Sequence, residues 1–207
     1  MSLLHALRAD ISRYRQLQNR YARSAWPGVL LFLTSPGLLA LATQRLYHLE
    51  EALRRTEGRT PKAIAIRLLA ALGKLITVPL TKAELQPSIE IAGGVYLSDL
   101  GNFIIGAHRI GEGTLIHHRV TIGRSLMDRG RPTIGRNVWI GPDVVIYGDI
   151  EIGDGATILP ETVITRSVPA GAVVRGNPPR VLKRDYDNTT LRQTTVWEAM
   201  SDFPGPG

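Results

Sequence analysis

Two adjacent histidines, His117 and His118, are the residues of this chain whose types point most directly to chemistry. An imidazole exchanges its proton near neutral pH, so a positioned histidine can act as a general base toward a hydroxyl or an amine. The 207-residue chain contains no cysteine, which excludes disulfides, thiolate catalysis and cysteine metal sites. No cluster with metal-ligand spacing accompanies the histidines, so we expect no metal. The pair therefore favours metal-free proton transfer.

These histidines lie within a repeat of six residues. A period of six fits neither a helix nor a simple strand, and a composition rich in Ile, Val and Gly is typical of a β-solenoid. The aliphatic residues predicted to point inward are Leu85, Ile91, Leu97, Ile104, Ile110, Ile116, Ile122, Ile134, Ile140, Ile146, Ile152, Ile158 and Ile164. Three hexads form one triangular coil of about 18 residues, so the repeat predicts a little over four stacked coils.

Two irregularities interrupt the repeat. Leu97 and Ile104 are seven residues apart, which predicts one extra residue in a turn. The twelve residues from Ile122 to Ile134 predict a projecting loop at 124–132. His108 falls on an inward position of this register, where we expect a structural role.

A helical lobe precedes the repeat. Apolar residues three and four apart, N-cap residues and prolines predict three helices, over residues 3–24, 36–55 and 62–76. The apolar stretch 29–42 is interrupted and too short to cross a bilayer, so a buried helix hairpin is favoured over a membrane-surface anchor. Pro79 is expected to close this lobe. The predicted organisation is an α-helical lobe at 1–80, a solenoid at 81–184 and a flexible tail at 185–207.

Positive charge is concentrated in the helical lobe. Residues 1–84 carry 13 Lys and Arg against 5 Asp and Glu, whereas the rest of the chain carries 12 against 13. Such a lobe can be a solvated helical face, or it can bind an anionic surface or an acidic carrier protein. No nucleic-acid motif is present, so we expect no nucleic-acid partner. The N-terminus lacks a signal-peptide pattern, and we expect a cytoplasmic protein without membrane association.

Three segments carry a resemblance to a known family. Gly37 to His48 resembles a helix that precedes the repeat, Val120-Thr121-Ile122-Gly123 a motif at the start of a loop, and Gly176-Asn177-Pro178-Pro179-Arg180 a closing motif. Together they resemble the serine O-acetyltransferases, a group of hexapeptide-repeat acyltransferases with a left-handed parallel β-helix. The resemblance covers roughly residues 36–184.

This resemblance implies an acetyl-CoA-dependent enzyme that assembles as a homotrimer, or as a dimer of trimers, with the acyl donor held in clefts between subunits. A small hydroxylated acceptor is expected, and it can be a sugar, an amino-acid-like molecule or a carrier-tethered group. The residues that the resemblance assigns to CoA are Gly123, Trp139, Gly141, Arg175, Arg180 and Lys183. Arg and Lys side chains suit the phosphates of CoA.

The chain departs from the family at the positions that carry its chemistry. The family's base histidine maps to Asp99 and the carboxylate that partners it maps to Glu84. A histidine on the loop maps to Arg131, and an acidic residue beside the base maps to Ser98. These changes argue against free serine as the acceptor.

The stacking register suggests a relocated base. Leu97 and Ile116 fall on the same side of successive coils, so Asp99 and His118, each two residues later, are expected to stack about 5 Å apart. We therefore expect His118 to be the general base and Asp99 to orient it. His117 is expected on the flat side, where it binds acceptor or lines a trimer interface. Asp128, Arg131 and Ser98 are candidate acceptor contacts, with a solvated loop as the alternative for the first two.

Three other interpretations remain open at this point. The chain can be a catalytically silent solenoid that serves in assembly, since the family's base is lost. It can also be a serine O-acetyltransferase with a relocated base. A metal-dependent carbonic-anhydrase solenoid uses the same scaffold, but the CoA-family motifs argue against it.

Overall fold

The computed structural model describes residues 3–18, 34–126 and 130–193, and three helices open this described part of the chain. Helix α1 spans Leu3–Gln18, α2 spans Pro36–Glu57 and α3 spans Pro61–Thr81. The prediction of helices at these places is confirmed, although the predicted end of the first helix and the apolar stretch at 29–33 lie outside the described residues. Ser35 occupies the N-cap position of α2 as predicted, without a side-chain cap hydrogen bond.

Helix α3 is longer than predicted. Pro79 lies inside the helix, which continues to Thr81 and ends at Lys82 in a left-handed conformation. The expectation that Pro79 closes the lobe is therefore wrong. The backbone N–H of Lys82 donates to the carbonyl oxygen of Val78 at 2.7 Å, so the last turn keeps a backbone bond beyond the proline.

Fifteen short strands follow within the described residues. They are β1 (Glu84–Leu85), β2 (Glu90–Ile91), β3 (Tyr96–Leu97), β4 (Ile104–Ile105), β5 (Arg109–Ile110), β6 (Leu115–Ile116), β7 (Thr121–Gly123), β8 (Thr133–Ile134), β9 (Trp139–Ile140), β10 (Val145–Tyr147), β11 (Glu151–Ile152), β12 (Thr157–Ile158), β13 (Val163–Ile164), β14 (Val173–Arg175) and β15 (Arg180–Lys183). Each strand from β1 to β10 pairs in parallel with the strand three places later, β12 pairs in parallel with β14, and β15 returns antiparallel to β14.

The strands form the three sides of a left-handed β-helix. The first sheet has the order β1-β4-β7-β10-β13, the second β2-β5-β8-β11, and the third β3-β6-β9-β12-β14-β15. Stacked aliphatic residues fill the interior, as at Ile116 and Ile140, which pair in register and are fully buried. Val168 and Val174 continue the stack beyond the last predicted position, so the described residues form five coils rather than a little over four.

The register of the second coil differs from the prediction. Leu85 pairs with Ile105, not Ile104, and Ile105 is fully buried while Ile104 is 55% exposed. The turn after Leu97 thus carries two extra residues and the next turn is one residue short. As a consequence Ala107 takes the inward position and His108 is exposed. The predicted structural role of His108 inside the solenoid is therefore wrong.

Polar side chains of the helical lobe close the open end of the β-helix. The Tyr14 hydroxyl donates to the carbonyl oxygen of Leu97 at 2.6 Å and accepts from the backbone N–H of Leu97 at 3.1 Å. Arg45 donates to the carbonyl oxygens of Ile91 and Ala92 and pairs with buried Asp10 at 3.3 Å. Backbone groups of Leu97, Ile91 and Ala92 at this open sheet edge are thereby satisfied.

A second apolar cluster covers the outer side of the third sheet. Trp139, Leu115 and Val173 point outward from their strands and pack with Leu17 of α1 and Leu191 of a short 3-10 helix, Leu191–Gln193. The side-chain amide of Asn188 donates to the carbonyl oxygens of Asn137 and Gly155, at 2.9 and 3.0 Å. Residues 185–193 are therefore ordered against the solenoid, which corrects the expectation of a flexible tail for this part of 185–207.

Candidate functional site

The turns that lead from the third sheet to the first sheet stack into one edge of the β-helix, which we call the histidine corner. It consists of residues 98–103, 117–120, 141–144 and 159–162. The backbone N–H of Asp143 donates to the carbonyl oxygen of His118 at 3.2 Å, and that of Arg119 donates to Gly101 at 3.1 Å. Leu97 pairs with Ile116, so the predicted register between the turns of Asp99 and His118 is confirmed.

His118 is half-buried on this corner. Partial burial and the neighbouring Arg119 guanidinium lower the pKa of its imidazole, and the Asp143 carboxylate opposes them only in part. A lowered pKa keeps the ring neutral, and therefore able to accept a proton, at neutral pH. Among the described residues none forms a hydrogen bond with this imidazole.

The expected hydrogen bond between Asp99 and His118 is not formed, and the prediction of Asp99 as the orienting residue is wrong in this structure. One carboxylate oxygen of Asp99 instead accepts the backbone N–H of Gly37, at 3.1 Å, in the first turn of α2. Unpaired N–H groups and the helix dipole stabilise an anion at such a position. A Cβ on Gly37 would lie 2.2 Å from the carbonyl oxygen of Leu97. Helix α2 therefore approaches the end of β3 so closely that only glycine fits at this position.

Ser98, the neighbour of Asp99, is buried and contributes to the turn. Its hydroxyl oxygen accepts the backbone N–H of Leu100 at 3.3 Å, and its carbonyl oxygen accepts that of Gly101 at 3.2 Å. These bonds give Ser98 a structural role, which does not support the predicted contact with acceptor.

His117 does not lie open on a flat side, as expected, but is buried with 7% of its surface exposed. Its ring packs against Trp139, with centroids 4.9 Å apart and planes tilted by 58°. Burial, together with the positive charge of His118, lowers the pKa of His117 to about 3. Its Nε2 is buried and has no hydrogen-bond partner among the described residues. A permanently neutral, enclosed imidazole fits packing better than acceptor binding or a trimer interface.

Two residues assigned to CoA by resemblance are also enclosed. Trp139 is 1% exposed within the outer apolar cluster, so its side chain cannot meet a ligand without leaving that cluster. Gly141 is buried, and a Cβ there would lie 2.8 Å from the backbone nitrogen of Pro160. The close stacking of successive coils thus accounts for this glycine. The Trp139 side chain therefore has a packing role, and a contact of CoA with the backbone of Gly141 stays a prediction.

The remaining predicted CoA residues lie at accessible positions. Gly123, at the end of β7, has open space where a side chain would project. Arg180 and Lys183 on β15 are exposed, and Arg175 on β14 is half-buried. The Lys183 ammonium lies 5.4 Å from the centre of the Tyr186 ring. Cationic side chains are therefore available at this end of the third sheet, and their role toward CoA stays a prediction.

The described loop residues, 124–126 and 130–132, lie at a different edge of the same chain, where the first sheet leads to the second. Arg131 is half-buried and donates to the Ser88 hydroxyl at 2.7 Å. Asp128, the other predicted acceptor contact on the loop, lies outside the described residues. Glu84, which maps to the partner of the family's base, is exposed on β1. One chain thus does not bring Arg131 to His118, and the predicted site is divided between two edges.

An ion pair that was not predicted from the sequence lies beside His118. Arg119 and Asp143 join successive turns through two hydrogen bonds, one of them from Nε to Oδ1 at 2.6 Å. Each is the third residue after its inward isoleucine, so the stacking register could have identified the pair. No group of His, Asp and Glu able to hold a metal ion occurs in the described part of the chain.

Comparisons with known proteins agree with the β-helix described above. A family model described as bacterial transferase hexapeptide (six repeats) matches residues 131–166. A serine acetyltransferase of Synechococcus elongatus is 31% identical over 160 residues, covering 76% of this chain and 61% of the relative. A serine acetyltransferase of Helicobacter pylori is 30% identical over 167 residues, covering 79% of this chain and 90% of the relative.

The fold comparison agrees with these relatives. A soybean serine acetyltransferase solved in complex with serine matches with a TM-score of 0.69 at 28% identity, over 87% of this chain and 70% of that chain. The chain is shorter than several relatives that it matches, and it spans 61% of the S. elongatus protein and 52% of a Mycobacterium tuberculosis serine acetyltransferase.

Proposed function

The chain belongs to the serine acetyltransferase family, and from that premise we propose that it transfers the acetyl group of acetyl-CoA to a hydroxyl or amine of a small acceptor. The observation that carries this proposal is His118, a half-buried imidazole with a lowered pKa on the stacked turns of the β-helix. Neutral imidazole is the form that a general base requires.

In the proposed reaction His118 removes the proton of the acceptor hydroxyl as its oxygen attacks the thioester carbonyl. The carbon–sulfur bond then breaks, and the departing CoA thiolate takes the proton back from the imidazolium. The products are an acetyl ester, or an amide for an amine acceptor, and free CoA. No carboxylate among the described residues accepts a hydrogen bond from the His118 imidazole. The acceptor or a neighbouring subunit would therefore have to orient the ring.

The acceptor is proposed to be a hydroxylated molecule other than free serine, such as a sugar, an amino-acid-like compound or a carrier-tethered group. Asp99 occupies the family's base position, and its carboxylate accepts a hydrogen bond from helix α2. Serine transfer by this chain would therefore need the base relocated to His118, and we retain that reaction as a variant of the proposal.

We further propose a homotrimer in which the histidine corner of one subunit faces the loop of the next. The division of the predicted site between two edges of one chain supports this, because a neighbour's loop could bring a cationic side chain, the partner subunit's Arg131, toward His118. In a closed ring, one surface of each subunit meets a different surface of the next, so two edges of the chain can meet in this way. The exposed Arg180 and Lys183 would then meet the phosphates of CoA.

The test is release of CoA thiol from acetyl-CoA in the presence of a panel of sugars, hydroxy-amino acids and serine. The wild-type chain is expected to turn over with at least one acceptor. A His118→Ala variant should lose at least about a hundredfold in kcat, the usual contribution of a general base. His5→Ala, which removes an exposed histidine of helix α1, is the matched control and should keep full activity. A His118→Ala protein with wild-type kcat would refute the assignment.

A catalytically silent assembly subunit is the second candidate, and the loss of the family's base at Asp99 favours it. Such a protein would release no thiol with any acceptor and would not bind CoA in calorimetry. Binding of CoA without turnover would show that the donor site is intact. In that case either the panel lacks the true acceptor or the base is not functional.

A further inference from the structure

Helix α3 exposes large aliphatic side chains along most of its length. Leu75 is 71% exposed, Leu68 66% and Ile64 51%. The full exposed set on this helix is Ile64, Leu68, Leu69, Leu72, Leu75, Ile76 and Leu80. At about 100° per residue these seven side chains fall within an arc of about 160°. Water-exposed apolar patches of this kind on a folded chain mark an interaction surface.

The opposite side of α3 is the one that packs on the protein. Its buried residues are small, namely Ala63, Ala70, Thr77 and Thr81. A side chain on Gly73 would lie 2.7 Å from the Thr43 hydroxyl of α2, so the two helices approach closely there. The aliphatic side of α3 is therefore turned away from the core by its own packing, and the described part of the chain leaves it uncovered.

Basic residues border this aliphatic surface. Arg67 and Lys74 lie beside one edge of the arc and Lys62 lies at the other, and all three are exposed. No Asp or Glu occurs from residue 61 to residue 83. An apolar arc bordered by Lys and Arg is the pattern of a helix that lies in the plane of a membrane surface, where its cationic side chains reach anionic headgroups.

We propose that α3 docks the protein, in plane, on an anionic lipid bilayer. The seven aliphatic side chains enter the acyl boundary, while Lys62, Arg67 and Lys74 contact lipid phosphates. The sequence alone led to the opposite expectation of no membrane association, which rested on the short, interrupted apolar stretch 29–42 and on the N-terminal pattern. Charge complementarity carries the choice of an anionic lipid as the occupant.

A membrane-spanning arrangement is less consistent with the same residues. Helix α3 is long and apolar enough to cross a bilayer by length and composition. However, Arg67 and Lys74 lie within the span, where a charged side chain is costly. The packing of Gly73 on Thr43 also keeps one side of the helix against α2, so an in-plane position is favoured.

A second copy of the chain is the other occupant to exclude. Pairing of two α3 helices through the aliphatic surface would place Arg67 and Lys74 at the border of the contact, beside a helix that carries no acidic residue. Like charges across such a contact are unfavourable. An anionic lipid surface instead attracts Arg67 and Lys74. The lipid bilayer is therefore favoured over a second copy of the chain.

The test is flotation of the full-length protein with vesicles of equimolar phosphatidylcholine and phosphatidylglycerol, and with vesicles of phosphatidylcholine alone. Wild-type protein should float with the anionic vesicles and bind them less at high salt. A Leu68→Glu/Leu75→Glu variant should bind at least about tenfold more weakly. Arg67→Gln/Lys74→Gln should show a comparable loss at low salt.

Matched controls distinguish binding through this surface from nonspecific hydrophobic adsorption and from nonspecific attraction by positive charge. Leu4→Glu/Val181→Glu changes two exposed apolar residues elsewhere, and Arg8→Gln/Arg15→Gln removes two exposed positive charges from α1. Both should bind vesicles within about twofold of wild type. Absence of vesicle binding by the wild type, or equal losses in the controls, would overturn the proposal. So would a change in oligomeric mass of Leu68→Glu/Leu75→Glu by light scattering, because that result assigns the surface to a second copy.

Discussion

The backbone N–H of Asp143 donates to the carbonyl oxygen of His118 at 3.2 Å, so the turn after β9 lies directly against the turn that carries the imidazole. The Asp143 carboxylate is held by the Arg119 guanidinium in the same corner. At His118 the positive Arg119 lowers the pKa and the negative Asp143 raises it, so their effects partly cancel. Burial, the largest effect, then lowers the pKa of His118.

His118 is accordingly expected to titrate below the 6.5 of an ordinary imidazole. Burial disfavours the charged form, so the neutral base persists to lower pH, and kcat/KM should rise with pH and reach half of its plateau below pH 6.5. An Asp143→Asn substitution removes the charge that opposes this shift and should move the titration lower still. Nuclear magnetic resonance of the His118 ring checks both statements without an activity assay. A wild-type His118 that titrates above 6.5 would contradict them.

Asp99→Asn should weaken the attachment of α2 to the histidine corner. The substitution removes a charged acceptor from the helix N-terminus and is expected to lower the free energy of unfolding by about 1 kcal/mol. The titration of His118 should stay where it was, since the two side chains form no hydrogen bond. A clear shift of the His118 pKa in this variant would instead restore Asp99 as the orienting residue. Urea unfolding and the same ring titration measure the two effects.

His117 should make the protein less stable in mild acid. Its pKa is about 3 in the folded state against an ordinary value of 6.5, so between these values the unfolded chain binds a proton that the folded chain does not. Stability therefore falls as pH drops below 6.5, by about 2 kcal/mol at pH 5 from this residue alone. A His117→Phe variant keeps the ring beside Trp139 and should lose this part of the pH dependence. Equal acid sensitivity of variant and wild type in urea unfolding would show that His117 is not responsible.

Tyr14→Phe should destabilise the first coil. Removal of the hydroxyl leaves both the N–H and the carbonyl oxygen of Leu97 without their partner in a buried place, at a cost of about 2 kcal/mol. Tyr147→Phe, on the outer side of β10, provides the control and should change stability by less than about 0.5 kcal/mol. Chemical denaturation compares the two variants.

Arg45→Met should cost more than Tyr14→Phe. Asp10 is fully buried, and burial raises its pKa although Arg45 acts in the opposite direction. Loss of the guanidinium leaves that carboxylate without its cation and two backbone carbonyl oxygens without a donor, for about 3–5 kcal/mol. The double variant Asp10→Asn/Arg45→Met should recover part of this loss. No recovery in thermal unfolding would mean that the carbonyl bonds, not the ion pair, dominate.

The six-residue period determined the solenoid because each inward position has to be aliphatic for the coils to stack. Local chemistry also fixed the start of α2, where Pro36 follows the N-cap position of Ser35. The register between Leu97 and Ile116 followed from counting hexads and is correct. Counting hexads gave the wrong inward residue at Ile104, because the turn before Ile105 has two extra residues and the turn after it is one residue short. The period carries no information on the length of individual turns.

What the sequence by itself determined is therefore the scaffold and the corner on which His118 lies, since both depend on a spacing that packing enforces. Only the tertiary structure decided the partners of the polar groups there. Asp99 accepts a hydrogen bond from Gly37, and the Trp139 ring that packs against His117 is enclosed by Leu17 and Leu191, because helices from distant parts of the chain reach those places. Contacts between distant segments depend on how separate elements pack in three dimensions, and a one-dimensional period cannot contain them.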